Sequence, residues 1–206
     1  MKIFNKLILI ALFFPLLAWG ETAGQDLAKL LGSINTMQGK FVQTMENNNL
    51  GSGQKSSGVF AMQRPGKFRW EIFNPSHQLI LVSGDIILIY NDDLKQVSRQ
   101  KVDYRQTNNP IFLLSSSTLE LQNNFYIKRL LSIPDGYSCF ELRPKTKDDF
   151  FQKVIIKFKQ NKLHSMFVLD NLGQKTNFDF FGVDFNVSLD KKVFIFIPPK
   201  GVDYYE

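Results

Sequence analysis

The sequence predicts a mainly β domain with a little helix: an antiparallel sheet of roughly ten or eleven short strands, curled into a barrel or half-barrel whose open side two short helices cover. Three observations lead there. Apolar and polar residues alternate over most of the chain, tight turn signals separate the alternating runs, and only two segments carry the marks of helix.

The first 20 residues stand apart. Lys2 and Lys6 precede an apolar run from Leu7 to Ala18, and Ala18-Trp19-Gly20 follows the small-x-small rule, so residues 1–20 read as a cleavable secretory signal. About 12 apolar residues fall short of the ~20 that a membrane span needs. Residue 21 is Glu rather than Cys, which removes lipid anchoring at that point, and the expected product is a soluble exported domain of residues 21–206. Without Lys2 and Lys6, 23 basic residues face 19 acidic ones, a net charge of +4. The cations are scattered singly along the strands, with no polybasic run and no clustered footprint for nucleic acid.

The first helical segment runs from Gly24 to Met37, where Leu27, Leu30, Leu31, Ile34 and Met37 fall on one stripe. The second starts at Asn109 as N-cap with Pro110 in the first position, followed by Ile111-Phe112-Leu113-Leu114. A helix of one or two turns this apolar must lie on something equally apolar. The rest reads as strand. Phe41, Gln43 and Met45 share one face, Phe60 and Met62 another, Leu79 and Leu81 another, and Ile86 to Tyr90 is apolar on both faces. Further on come Phe125 with Ile127, Phe140 with Leu142, and Val154, Ile156 and Phe158 opposite Lys153, Lys157 and Lys159. Leu163 to Leu169, Thr176 to Phe180 and Val193 to Ile197 complete the set, and turns are expected at Ser83-Gly84-Asp85, Asp135-Gly136, Gln160-Asn161 and Asn171-Leu172-Gly173. Asn47 to Ser57 fits a long hairpin loop within one domain.

The segment Met62-Gln63-Arg64-Pro65-Gly66-Lys67-Phe68-Arg69-Trp70-Glu71-Ile72 is the most informative in the chain. Pro65 lacks a backbone donor and must end the strand before it, after which Phe68, Trp70 and Ile72 alternate with Lys67, Arg69 and Glu71. Arg64 then sits at the rim. It is either a solvated side chain before a turn or a fork of donors for the backbone carbonyls of something laid across the mouth.

Catalytic and metal-binding patterns are missing from the sequence. His77 and His164 are isolated, there is no nucleophile elbow, phosphate loop or dinucleotide fingerprint, and Asp92-Asp93 and Asp148-Asp149 fall in loops. Cys139 is the single cysteine, read as a buried structural thiol. The 20 phenylalanines serve either a large core or, with Met and Trp, an apolar cavity for alkyl chains. An outer-membrane pore is disfavoured because Lys153, Lys157 and Lys159 would fall in its lipid-facing band. A lipid-modifying enzyme would need a nucleophile and base that the sequence does not offer.

Arg64-Pro65-x-x-Phe68-x-Trp70, with Pro75 after it, resembles the signature of the periplasmic outer-membrane lipoprotein carrier family, LolA. Asn109-Pro110-Ile111-Phe112-Leu113-Leu114, Phe140-Glu141-Leu142-Arg143-Pro144-Lys145 and Phe196-Ile197-Pro198-Pro199-Lys200-Gly201-Val202 resemble further family segments in family order, and together they span nearly the whole mature chain. One departure is Tyr90-Asn91-Asp92, where many members have Tyr-Asn-Pro.

The resemblance implies an unclosed β-barrel under a helical lid, with no catalytic residues, cofactor or metal. It implies a periplasmic chaperone for acylated lipoproteins, loaded by an inner-membrane ABC transporter and emptied to an outer-membrane acceptor; the alternative is a carrier of the same fold with another lipid cargo. Arg64 is then the lid latch and Phe68 the transporter-docking residue. Leu27, Leu30, Leu31, Ile34, Phe60, Trp70, Leu81, Ile111, Phe112 and Leu113 are the expected cavity or lid lining, and the protein is expected to be a monomer.

Overall fold

The computed structural model describes residues 22–46, 53–101, 110–131, 134–146 and 150–205. The expected signal segment lies outside them. Helix α1 (Ala23–Gly32) opens with a capping box, in which the Thr22 hydroxyl accepts from the Gln25 amide and the Gln25 side chain accepts from the Thr22 amide. It buries Leu27 and Leu31 and stops earlier than the apolar stripe suggests. Ile34 lies in the turn that follows, and Met37 belongs to a strand, where its backbone faces Met62 on one side and Phe185 on the other.

Six strands follow: β1 (Thr36–Glu46), β2 (Gln54–Gln63), β3 (Lys67–Asn74), β4 (Gln78–Ser83), β5 (Ile86–Asn91) and β6 (Gln96–Lys101). Gln54 to Ser57, expected as loop, are already strand. After a 3-10 helix (Pro110–Leu114) and α2 (Thr118–Asn124) come β7 (Phe125–Leu130), β8 (Tyr137–Pro144), β9 (Phe151–Lys159), β10 (Lys162–Asp170) and β11 (Lys175–Phe185). A 3-10 helix (Lys191–Phe194) and the three-residue β12 (Asp203–Tyr205) end the chain.

The twelve strands of the described residues form one sheet in the order β12-β6-β5-β4-β3-β2-β1-β11-β10-β9-β8-β7. Every pairing is antiparallel except the parallel β12 with β6. The end strands β12 and β7 do not pair with each other, so the sheet is unclosed. At the β9–β10 turn Gln160 and Asn161 both take positive φ, 49° and 62°, the primed geometry that matches strand twist.

Alternation sorts side chains between two cores. The inner one joins Phe41, Phe60, Met62, Phe68, Trp70 and their counterparts on β4, β5 and β7–β11 to Leu27, Leu31, Phe112, Leu114 and Leu121 of the helical segments. The outer one is smaller and lies on the opposite face of β2–β6, where Ala61, Leu79, Leu81, Tyr90 and Val97 pack against Phe194. Val193 to Ile197 is therefore not the strand that alternation suggests. Asp190 caps a 3-10 turn by accepting from the Lys192 amide, and Val193, Phe194 and Phe196 lie on the convex face of a sheet whose interior strands already have both neighbours.

Cys139 is buried, and that burial pushes its thiol pKa up, opposed by the charge of Lys157. Gly58 occupies an irregularity in the β2–β3 register, where a Cβ would stand 1.8 Å from the Glu71 carbonyl oxygen. No rotamer relieves a clash with backbone. Gly58→Ala is expected to lower stability by at least about 2 kcal/mol, as strain at special backbone sites does; a urea-denaturation midpoint unchanged from the parent would contradict this close approach.

Candidate functional site under the helical lid

The inner core is the candidate site, because it lies between the sheet and the two α-helices of the described residues. Its floor is aromatic. The rings of Phe41 and Trp70 stack with centroids 3.5 Å apart, Phe178 meets Trp70 edge-on at 5.8 Å, and Phe60 meets Phe180 edge-on at 5.4 Å. Cross-strand register brings them together, since Phe60 faces Trp70, Met62 faces Phe68 and Phe41 faces Phe180. The roof is α1, the 3-10 helix and α2, whose Leu27, Leu31, Phe112, Leu114 and Leu121 press into that floor. Among the described residues, the apolar side chains of the roof thus pack directly into the floor of the concave face.

One cation spans the seam. The Arg64 Nε donates to the Ile34 carbonyl at 3.0 Å, Nη1 to Ser115 and Ser116 at 3.0 and 2.8 Å, and Nη2 to Leu114 at 2.9 Å. These acceptors have a physical need for it. Leu114 ends the 3-10 helix and Ser115 and Ser116 form the turn after it, where carbonyls lack intrahelical donors and the dipole favours a positive charge. Ile34 ends the turn after α1, so the side chain joins both helical pieces to the strand rim, and the Arg64 amide adds a bond to the Asn35 carbonyl at 2.8 Å. Burial pushes the guanidinium pKa down and the charge of Glu120 pushes it up. Arg64 is therefore a carbonyl cap and not a solvated residue before a turn.

Two further ties hold the other side of the lid. Arg129 on β7 donates to the Asp26 carboxylate of α1 at 2.9 Å, and the Lys145 ammonium donates to the Gln122 carbonyl of α2 at 2.7 Å. Sequence reasoning missed both, together with α2 itself. The signal for α2 was there to be read: Ser117-x-x-Glu120 is a capping box, with the Ser117 hydroxyl accepting from the Glu120 amide and the Glu120 carboxylate from the Ser117 amide.

Most of the expected lining meets in this core. Leu27, Leu31, Ile34, Phe60, Trp70 and Phe112 are buried in it, and Leu30 and Leu113 pack against its edge. Ile111 lies in the 3-10 helix, and its side chain is outside the described part. Leu81 does not belong here. Its strand neighbours Ile80 and Val82 face the inner core, so alternation turns Leu81 to the convex side with Leu79. Phe68 is 1% exposed with its ring edge-on to Phe112 at 5.2 Å, so in this closed state it is a lid contact and offers no surface to a partner.

His77 shares a contact with Glu71 at 2.9 Å on the convex side, and His164 stands edge-on to Tyr137. Among the described residues no group of three or more His, Cys, Asp or Glu is placed to hold a metal ion, and no helix is long and apolar enough to cross a membrane.

Residues 32–197 match the family model described as outer membrane lipoprotein carrier protein LolA. The chain belongs to the LolA family. LolA proteins are carriers, not enzymes. An outer-membrane lipoprotein carrier protein of Azotobacter vinelandii is 35% identical over 98% of this chain and 98% of its own length, and one of Methylococcus capsulatus is 36% identical over 100% and 99%. A LolA superfamily protein of Nitrosomonas europaea shares the fold, with a TM-score of 0.50 at 14% identity over 84% of this chain and 97% of that one.

Replacing Arg64 leaves three carbonyls at the end of the 3-10 helix without their donor. Hydrogen bonds to a charged group contribute about 1.5–3 kcal/mol each and are not additive, so Arg64→Leu is expected to speed amide exchange tenfold or more at Ser115, Ser116 and Ile34 while β1 and β11 keep their protection. Exchange at parental rates in the lid would deny Arg64 its holding role.

Proposed function

We propose that this chain is a periplasmic lipoprotein chaperone, which takes up acyl chains in the concave face after Arg64 releases the lid. The observation that supports this best is the four-carbonyl contact of Arg64, because it closes an apolar interface through polar bonds that can be exchanged for water. A mature bacterial lipoprotein exposes roughly 40 methylenes, and at ~0.8 kcal/mol each their transfer to water costs ~30 kcal/mol, above the roughly 20 kcal/mol at which non-covalent affinity saturates. A cavity that stayed open would hold such cargo too tightly to deliver it.

The closed lid offsets that excess. Loading must separate Leu27, Leu31, Phe112 and Leu114 from Phe41, Phe68 and Trp70, and giving up that apolar burial lowers the net affinity to a value from which cargo can leave. Arg64 returns the lid after release. Phe68 becomes accessible only when Phe112 moves away, so docking to the inner-membrane ABC transporter belongs to the opened state. Delivery is to an outer-membrane acceptor, and the carrier works as a monomer.

Arg64→Leu is expected to take up a triacylated lipoprotein from a loading membrane and to pass it to the acceptor at least tenfold more slowly than the parent, because an unlatched lid does not reclose. Phe68→Glu is expected not to load. Co-purification of cargo with each variant, followed by transfer to acceptor-bearing vesicles, measures both. Parental transfer by Arg64→Leu would remove the latch, and parental loading by Phe68→Glu would remove the docking role.

A further inference from the structure

The convex face of β4–β6 carries a second apolar site, separate from the lid. The C-terminal segment covers only half of that face. Phe194, Phe196 and Val202 pack over Leu79, Tyr90 and Val97, whereas the next layer along the same strands, Leu81 with Leu88 and then Ser83 with Ile86, floors a groove of about 360 Å³. Pro198, Tyr204 and Tyr205 form its wall. The volume lies within the range of small-molecule sites, about 300–1,000 Å³.

Its charges are one-sided. Arg99 lines the groove opposite Leu88, is exposed, and its guanidinium makes no hydrogen bond or ion pair among the described residues. Lys101 follows two residues later on the same face, paired with Ile86, and Lys67 lies across from Ser83 with its ammonium 5.8 Å from the Phe194 ring. Asp85, in the β4–β5 turn, is the acid closest in sequence. The contrast with Arg69 is informative: that guanidinium is committed to Glu71 and to the Val193 carbonyl, anchoring the C-terminal segment, and is not free for a guest.

We propose that this groove binds a single-chain fatty carboxylate, with the alkyl chain along Leu81, Ile86 and Leu88 and the carboxylate on Arg99. The planar fork of a guanidinium matches the two oxygens of a carboxylate, and the hydroxyls of Tyr204 and Ser83 add donors at the wall and floor. One chain fits because the groove is bounded by the C-terminal segment on one side and the strand ends on the other. The site does not depend on lipoprotein carriage.

The test is titration of the ¹⁵N-labelled protein with laurate below its micelle concentration, read by amide shifts. Saturable shifts are expected at Leu88, Arg99 and Tyr204, weakened roughly tenfold or more by Arg99→Glu, as removal of a charge-assisted hydrogen bond requires. Ile86→Glu, which places a like charge on the apolar floor, is expected to weaken binding as much, and dodecanol, which keeps the chain but lacks the charge, to bind more weakly than laurate. Shifts confined to Leu27 and Phe112 under the lid, equal affinity in Arg99→Glu, or no shifts at all would overturn the proposal. Shifts at the groove that grow with protein concentration without laurate would assign the face to a second copy, and would equally overturn it.

Discussion

The structure depends on keeping an apolar concave sheet out of water with a cover too small to fold alone. Neither helix nor the 3-10 turn between them is long enough to be stable in isolation. The lid owes its order to Leu27, Leu31, Phe112, Leu114 and Leu121 against the aromatic floor, and to the polar ties at its margins. Burial supplies the attraction and carries no direction. The Arg64 fork supplies the direction, because four carbonyls from two separate segments can converge on it in only one arrangement of the lid.

The sheet makes this possible by dividing its residues strictly between two faces. Phe68 and Trp70 reach the inner core on β3, while Arg69 and Glu71 between them form an ion pair on the outside. The outer cluster fixes the C-terminal segment, so the two faces of β3 serve different covers. One is a lid joined through helix-end carbonyls, and the other is a strap held by Arg69 and by Phe194.

Much of this was legible in the residues, and the misses have physical causes. Period-two alternation located most strands because one-sided burial writes itself directly into sequence. The Arg64-Pro65 break placed Arg64 at the rim, since proline must end a ladder. Alternation alone does not say which face is concave, and for that reason Leu81 was grouped with the lining although its strand turns it outward. Met37 fitted the helical stripe because spacing of 3.6 and of 2 can coincide over one residue; Ser33 ends the helix first. Val193 to Ile197 alternates yet has no free strand to pair with, a matter of topology that no local pattern contains. Long-range ties such as Asp26 to Arg129, 103 residues apart, leave no mark on either local sequence.

The unpaired end strands have a mechanical meaning. In a closed barrel the strand count and stagger set the radius through a continuous ring of hydrogen bonds. Here β7 and β12 do not meet, so no such ring fixes the curvature, and small changes of twist at each of the eleven strand pairings add up along the sheet. A container built this way adjusts its girth without breaking a ladder, and passengers of unequal width can be accommodated by flexing the wall rather than by repacking it.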